Sequence, residues 1–234
     1  MQPQSELISE LISWTVGHSG YEEARQYIGL SGIADCEMEL FERYVHGSGR
    51  QGVAAHLKTR ISYELEEALK KRMREMGRYG DPELISLQAG LVQGHTDGWD
   101  RASGELIEIK TVPTRDQFPE GGRIPNRHFW QVQAYLHYTK RESAQVIYLA
   151  RASGDLMVVR VRRQGEMGRK IEEKLARMAR ACREMQKPAC TCGRHGQVTD
   201  AQPKVTDAPQ VRDAHKARLE NAQQSGQSST DNIC

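Results

Sequence analysis

The stretch Gly94–Lys110, GHTDGWDRASGELIEIK, constrains this chain more than any other. Leu91 and Val92 lead into Gly94-His95-Thr96-Asp97-Gly98, and a second apolar run, Glu105–Val112, follows the turn-forming residues Asp100-Arg101-Ala102-Ser103-Gly104. Two short strands joined by a turn are expected. Alternation along the second run sets Leu106, Glu108 and Lys110 on one face and Ile107, Ile109 and Thr111 on the other. Charges on a strand otherwise suited to burial need a partner, a metal, or both. Asp97, at the end of the preceding strand, can approach the same spot. Asp97, Glu108 and Lys110 then form an acid-acid-base cluster.

Such a cluster suits metal-assisted phosphodiester hydrolysis. Carboxylate oxygens hold Mg2+ or Mn2+, the ion polarises the phosphate and acidifies bound water, and a lysine positions that water or neutralises developing charge. A Glu-x-Lys on an amphipathic strand is common by itself, and its plain alternative is a surface ion pair of little energetic weight. Two further patterns accompany it here. Gly52-Val53-Ala54-Ala55-His56 opens a helical run upstream, and Gln131-Val132-Gln133-Ala134-Tyr135 lies on another downstream. The order G-x-x-x-H, G-x-x-D, E-x-K, Q-x-x-x-Y resembles the motif series of the PD-(D/E)XK nuclease superfamily. The resemblance is to its RecB-like branch, which also holds the CRISPR-associated adaptation nucleases and many phage exonucleases. It spans Ser31 to Arg151.

The resemblance implies an α/β fold with a restriction-endonuclease-like core, a mixed central β-sheet flanked by α-helices. It implies that His56, Asp97, Glu108 and the backbone carbonyl of Ile109 hold Mg2+ or Mn2+. Lys110 would assist the attacking water, and Gln131 and Tyr135, spaced i, i+4 on one helix face, would position substrate. The implied activity is a metal-dependent DNA exonuclease on linear ends or single strands, in recombination, repair or phage DNA metabolism, with a recombination or replication protein as partner. The alternatives are an endonuclease and a weakly active or inactive DNA-binding or complex-assembly module of the same fold.

The remaining sequence sets the frame around this site. At 234 residues the chain can bury one sizeable core. It has no apolar run of membrane-spanning length and no basic patch before a hydrophobic leader, which reads as a soluble cytoplasmic protein without a signal peptide. A net charge of +2 is too small to indicate a nucleic-acid partner, so any DNA-binding charge must be local. Residues 1–30 read as a helical segment, with an amphipathic helix over 5–15, and residues 31–195 as the main domain. A helix from Ser31 to about Val45 is expected, then one from about Arg50 to Met76. In the latter, Val53, Leu57, Ile61, Leu65, Leu69, Met73 and Met76 form a core stripe, and Lys70-Lys71-Arg72 form either a solvated face or a contact to DNA backbone. After Pro113, the loop 114–127 offers Arg115, Arg123 and Arg127 to phosphates. The helix Glu166–Met185 pairs an apolar stripe with Arg169, Lys170, Lys174, Arg177, Arg180 and Arg183, either a phosphate-tracking face or a solvated one.

Cysteines add a second question. Cys36, Cys182, Cys190 and Cys192 resemble, in placement, the one N-terminal and three C-terminal thiolates of the iron-sulfur cluster in adaptation nucleases and their RecB-like relatives, here a 4Fe-4S cluster. Their spacing departs from the family's, which has C-x-x-C among the last three. Zinc, with Cys36 or His195 completing the ligands, and no metal at all stay open. Cys182 also lies on the apolar stripe of its helix, where an inert thiol is the simple reading. Residues 196–234, nearly free of large apolar side chains, read as a disordered polar tail.

Overall fold

The computed structural model of the chain describes residues 27–47, 53–190 and 192. The expected helix over 5–15 and the tail 196–234 lie outside the described residues. The chain divides into a unit of residues 1–191 and a second from Cys192 onward, of which only Cys192 is described. The first unit is the mixed α/β architecture expected. Its helices are α1 (Glu37–His46), α2 (Val53–Glu75), α3 (Asn126–Thr139) and α4 (Gly165–Glu184). Its strands are β1 (Ile28–Gly29), β2 (Tyr79–Gly80), β3 (Leu84–Leu87), β4 (Val92–His95), β5 (Gly98–Asp100), β6 (Leu106–Val112), β7 (Ser143–Ala150) and β8 (Leu156–Arg162). No helix among the described residues is long and apolar enough to cross a membrane.

Five strands form the principal sheet, in the order β2-β5-β6-β7-β8. β6 and β7 pair in parallel, which requires a long crossover. Residues 114–125, with two 3-10 turns, and helix α3 supply it. The alternation along β6 holds, but both faces are covered, so Glu108 is buried as thoroughly as Ile107 and Ile109. Leu106, Val146, Tyr148 and Val159 on one face join the core with α3 and α4, through Val132, Leu136, Ile171, Leu175 and Met178. On the other face Ile107, Ile109 and Ile147 meet Tyr79, with Leu69 and Met73 of α2 against them.

The hairpin differs from expectation. β4, which leads toward Asp97, belongs to a separate three-stranded sheet, β1-β4-β3, and the partner of β6 is the three-residue β5. The chain therefore changes sheets across Thr96-Asp97-Gly98. Thr96 is held on one side, its hydroxyl accepting the Glu83 N–H at 2.8 Å. Gly98 makes the turn on the other side with φ of 137°, a conformation natural only to glycine. A Cβ at Gly98 would lie 2.6 Å from the Gly80 carbonyl oxygen and 2.7 Å from the Tyr79 ring. Gly98→Ala is thus expected to cost about 2–4 kcal/mol from strain and overpacking together, read as a lowered midpoint in denaturant. An unchanged midpoint would mean that this switch between sheets is loose.

Two helix expectations need correction. α1 does not start at Ser31: Leu30 and Ile33, fully buried, pin a 3-10 turn there, and the helix starts after Cys36, whose side chain and Glu39 make a reciprocal cap. Among the described residues, the apolar stripe of α2 meets the core through Leu69 and Met73 only; Leu57 and Ile61 toward its N-terminus are exposed, as is Met76 just past its end. Length explains this: at 1.5 Å per residue the 23 residues of α2 span about 34 Å, against about 23 Å for the seven of β6. Ser62 meets Thr111 near the strand's end, so the turns before it overhang the sheet.

Candidate active site

The switch between sheets brings Asp97 back onto β6. Gly98 stands opposite Ile107 in the β5-β6 register, and Asp97 Oδ2 accepts the backbone N–H of Ile109 at 2.7 Å. The Tyr79 hydroxyl donates to the Asp97 carbonyl at 2.5 Å. The Asp97 carboxylate is therefore aimed by a backbone contact at the middle of the Glu108-Ile109-Lys110 sequence.

Glu108 is 2 % exposed, yet carries a carboxylate. Its Oε1 accepts the Lys110 ammonium at 2.6 Å and the Gln131 amide at 2.7 Å. Gln131 in turn accepts Lys110 at 3.0 Å through its own Oε1, and its amide also reaches the Tyr135 hydroxyl at 3.2 Å. The i, i+4 pair on α3 thus bears on the strand as expected. Glu108 Oε2 is buried with no hydrogen-bond partner among the described residues. An orphaned carboxylate oxygen in that setting is a costly arrangement. Burial, reinforced by Asp97 and Glu66 and opposed by Lys110, raises the Glu108 pKa. Burial disfavours the Lys110 ammonium as well, but Glu108, Asp97 and Glu66 together outweigh it and the lysine pKa is raised.

A cavity of about 520 Å³ opens at these groups; Asp97, Glu108, Lys110, Gln131 and Tyr135 line it together with Glu66, His95 and Ser31. Gly94 lies beneath, where a Cβ would come within 2.8 Å of Leu30 and 3.0 Å of Tyr135. The glycine of the G-x-x-D pattern thus lets the 3-10 turn and α3 close over the site.

Two α2 residues join the cluster without having been expected there. Glu66 lines the cavity, and burial, with Asp97 close by, pushes its pKa up to about 7. Lys70, expected on a solvated face, is buried and pairs with Glu67 at 3.1 Å and Asp97 at 3.8 Å. One signal was available: Glu66 and Lys70, spaced i, i+4, flank the stripe of Leu65, Leu69 and Met73 that α2 presents to the sheet. His56, ten residues before Glu66, lies about 15 Å nearer the N-terminus of α2 along its axis, and its side chain lies outside the described residues.

Arg115, Arg123 and Arg127 are exposed on the crossover, and Arg127 lies 3.9 Å from Asp35. The basic face of α4 is partly occupied within the fold. Lys174 donates to the Asp35 carbonyl at 2.6 Å and lies over the Trp130 ring, and Arg177 pairs with Glu37 at 2.7 Å.

The thiols of Cys36 and Cys190 lie 3.7 Å apart. Cys192 is two residues further, so chain connectivity alone keeps its Cα within about 7 Å of that of Cys190. Cys182 sits elsewhere, fully buried in the apolar core, where burial pushes its thiol up to about 12.

No protein-family model matches this chain, and no curated protein does. Solved structures do. The alkaline exonuclease LHK-Exo from Laribacter hongkongensis overlays on 74 % of this chain and 95 % of its own, with a TM-score of 0.52 at 17 % identity. LHK-Exo in complex with dAMP covers 76 % and 96 %, with a TM-score of 0.52 at 18 % identity. The fold of this chain is thus the one that these exonucleases have.

Proposed function

We propose that this chain, with the fold of a PD-(D/E)XK phage-type exonuclease, is a divalent-metal-dependent deoxyribonuclease acting at DNA ends. The observation that carries the reading is the orphaned, buried Oε2 of Glu108 beside Asp97 and Lys110 in an open cavity. Hard oxygens of Asp97 and Glu108, with Glu66 facing the same space, fit Mg2+ or Mn2+. The Ile109 carbonyl completes that set, and His56 stays a candidate through the resemblance alone. The ion, when bound, supplies Lewis acidity at the phosphate and acidifies the attacking water.

The chain's own residues do the rest. Lys110, held by Glu108 Oε1 and Gln131 Oε1, has a donor left to orient the attacking water or to meet the developing charge. Gln131 occupies Glu108 Oε1 and so leaves Oε2 for the ion. Tyr135 braces Gln131. Arg115, Arg123 and Arg127 stand at the crossover as contacts for the DNA backbone. Cys36 and Cys190, with thiols 3.7 Å apart, offer soft donors for a separate structural centre, a 4Fe-4S cluster or zinc. Iron and zinc analysis of the purified protein reads that directly.

The functional test uses end-labelled single- and double-stranded linear DNA beside closed circular DNA, with Mg2+ or Mn2+ and with chelator. Linear DNA is expected to be degraded, the circle spared, and all cleavage lost in chelator. Cutting of the circle would make the protein an endonuclease. No cutting by folded, metal-supplied protein would favour a DNA-binding module.

A further inference from the structure

A histidine and a tyrosine outside the motif series stand against the Lys110 side of the site. Tyr148 on β7 is the register partner of Lys110 on β6. Their side chains leave neighbouring strands side by side on one face, with Cα atoms about 4.8 Å apart. Tyr148 is fully buried, and its hydroxyl lies 2.8 Å from Nδ1 of His128 on α3. His128 comes three residues before Gln131 and seven before Tyr135, a spacing that shares one helix face. The face of α3 that serves the site therefore extends one turn further, to a residue bonded to the neighbour of Lys110.

Both groups are uncharged near neutral pH. Burial, with Lys110 and Arg127 close, holds the His128 pKa down to about 4, and burial, with Glu108, pushes the Tyr148 phenol up. A phenol that keeps its proton can donate it to Nδ1, which leaves the imidazole proton on Nε2.

We propose that His128 and Tyr148 are a positioning pair for Lys110, a neutral, hydrogen-bonded imidazole-phenol wall that confines the ammonium to Glu108 and Gln131. The inference rests on the nuclease reading. A lysine has a long flexible stem and three donors. Two donors are taken by Glu108 Oε1 and Gln131 Oε1, and a rigid uncharged neighbour leaves the third free for the reacting phosphate or water. A charged neighbour would repel the ammonium, and an open space would let it rotate away.

The test is steady-state cleavage of linear DNA by the wild type, His128→Ala, His128→Asn, His128→Gln and Tyr148→Phe. Asparagine can place an acceptor near the position of Nδ1, whereas glutamine carries its polar atoms one bond further out. His128→Ala and Tyr148→Phe are expected to lower kcat roughly 10- to 100-fold, as small displacements of a catalytic group do, with KM within about twofold of wild type. His128→Asn should restore most of kcat and His128→Gln should not. Unchanged kcat in His128→Ala, or a raised KM with kcat intact, overturns the proposal, as does a His128→Asn variant no better than alanine. Nitrogen-15 NMR reads the pair independently of turnover: an Nδ1–H tautomer or a protonated ring at neutral pH also overturns it. A wild type that cleaves nothing would refute the nuclease reading instead. The variants are then read at the labelled Lys110 ammonium, whose resonance should move in His128→Ala and Tyr148→Phe and return in His128→Asn. A resonance indifferent to all of them sinks the pair.

Discussion

Replacing Glu108 by glutamine is expected to lower cleavage of linear DNA by about 10³-fold or more while the protein stays folded. The size follows from what is removed. Loss of one preorganised group aimed at developing charge costs on the order of 10²–10³ in rate, and the carboxylate also carries the oxygen that fits the metal. The fold survives because glutamine is isosteric and keeps an amide oxygen to accept Lys110, as Glu108 Oε1 does now. DNA binding should hold or strengthen, since a negative charge leaves a site that faces phosphates. The three measurements are end-label release, thermal melting and a DNA titration with Ca2+ in place of the active ion. Cleavage within tenfold of wild type would place the chemistry elsewhere. A collapse in melting temperature would instead make Glu108 a structural partner of Lys110.

The parts of this site that the sequence made legible are those whose side-chain direction is set by one element alone. Period-two alternation put Glu108 and Lys110 on one side of β6, and i, i+4 spacing put Gln131 and Tyr135 on one side of α3; the structure joins the two pairs through Gln131. The strand around Glu108 and the helix around Gln131 were legible for the same reason, since each carries its own periodicity. Features set by distant chain were not. Pattern alone does not show that β4 and β5 belong to different sheets, because the switch depends on Gly98 fitting against Gly80 and Tyr79. Lys70 sits in a basic run that looks solvated, yet it is buried where Asp97, on the connection between β4 and β5, comes within 3.8 Å of its ammonium. Leu57 and Ile61 continue a perfect helical stripe into space where the sheet has ended. Cys182 fell on both an apolar stripe and a plausible ligand set, and packing decided for the stripe.

Glu66 carries the second large prediction, and its sign depends on pH. Its folded-state pKa is raised to about 7 from an ordinary 4.5, by burial first and by Asp97 next. A carboxyl with a raised folded pKa keeps its proton in the folded protein over a range where the unfolded chain has lost it. Stability therefore falls as pH rises from about 4.5 to about 7, and the full penalty is present above that. Without divalent ions, Glu66→Gln should match wild type below pH 4.5 and be more stable by about 1–2 kcal/mol at pH 8, less than the about 3.4 kcal/mol that the whole shift would give at 1.36 kcal/mol per pH unit, because solvent reaches Glu66 and screens its charge. With Mg2+ or Mn2+ the gap should narrow. Binding only to the folded state at 100 times Kd stabilises by about 2.7 kcal/mol, and the wild type, with three carboxylates facing the cavity, has the lower Kd. The same substitution should lower cleavage, because the charge that destabilises the empty site is what holds the ion in it. Melting curves at pH 4.5 and pH 8, each with and without Mn2+, separate the contributions. A variant no more stable than wild type at pH 8 without metal would mean that Glu66 escapes to solvent, and equal stabilisation of both proteins by Mn2+ would remove it from the ion's surroundings.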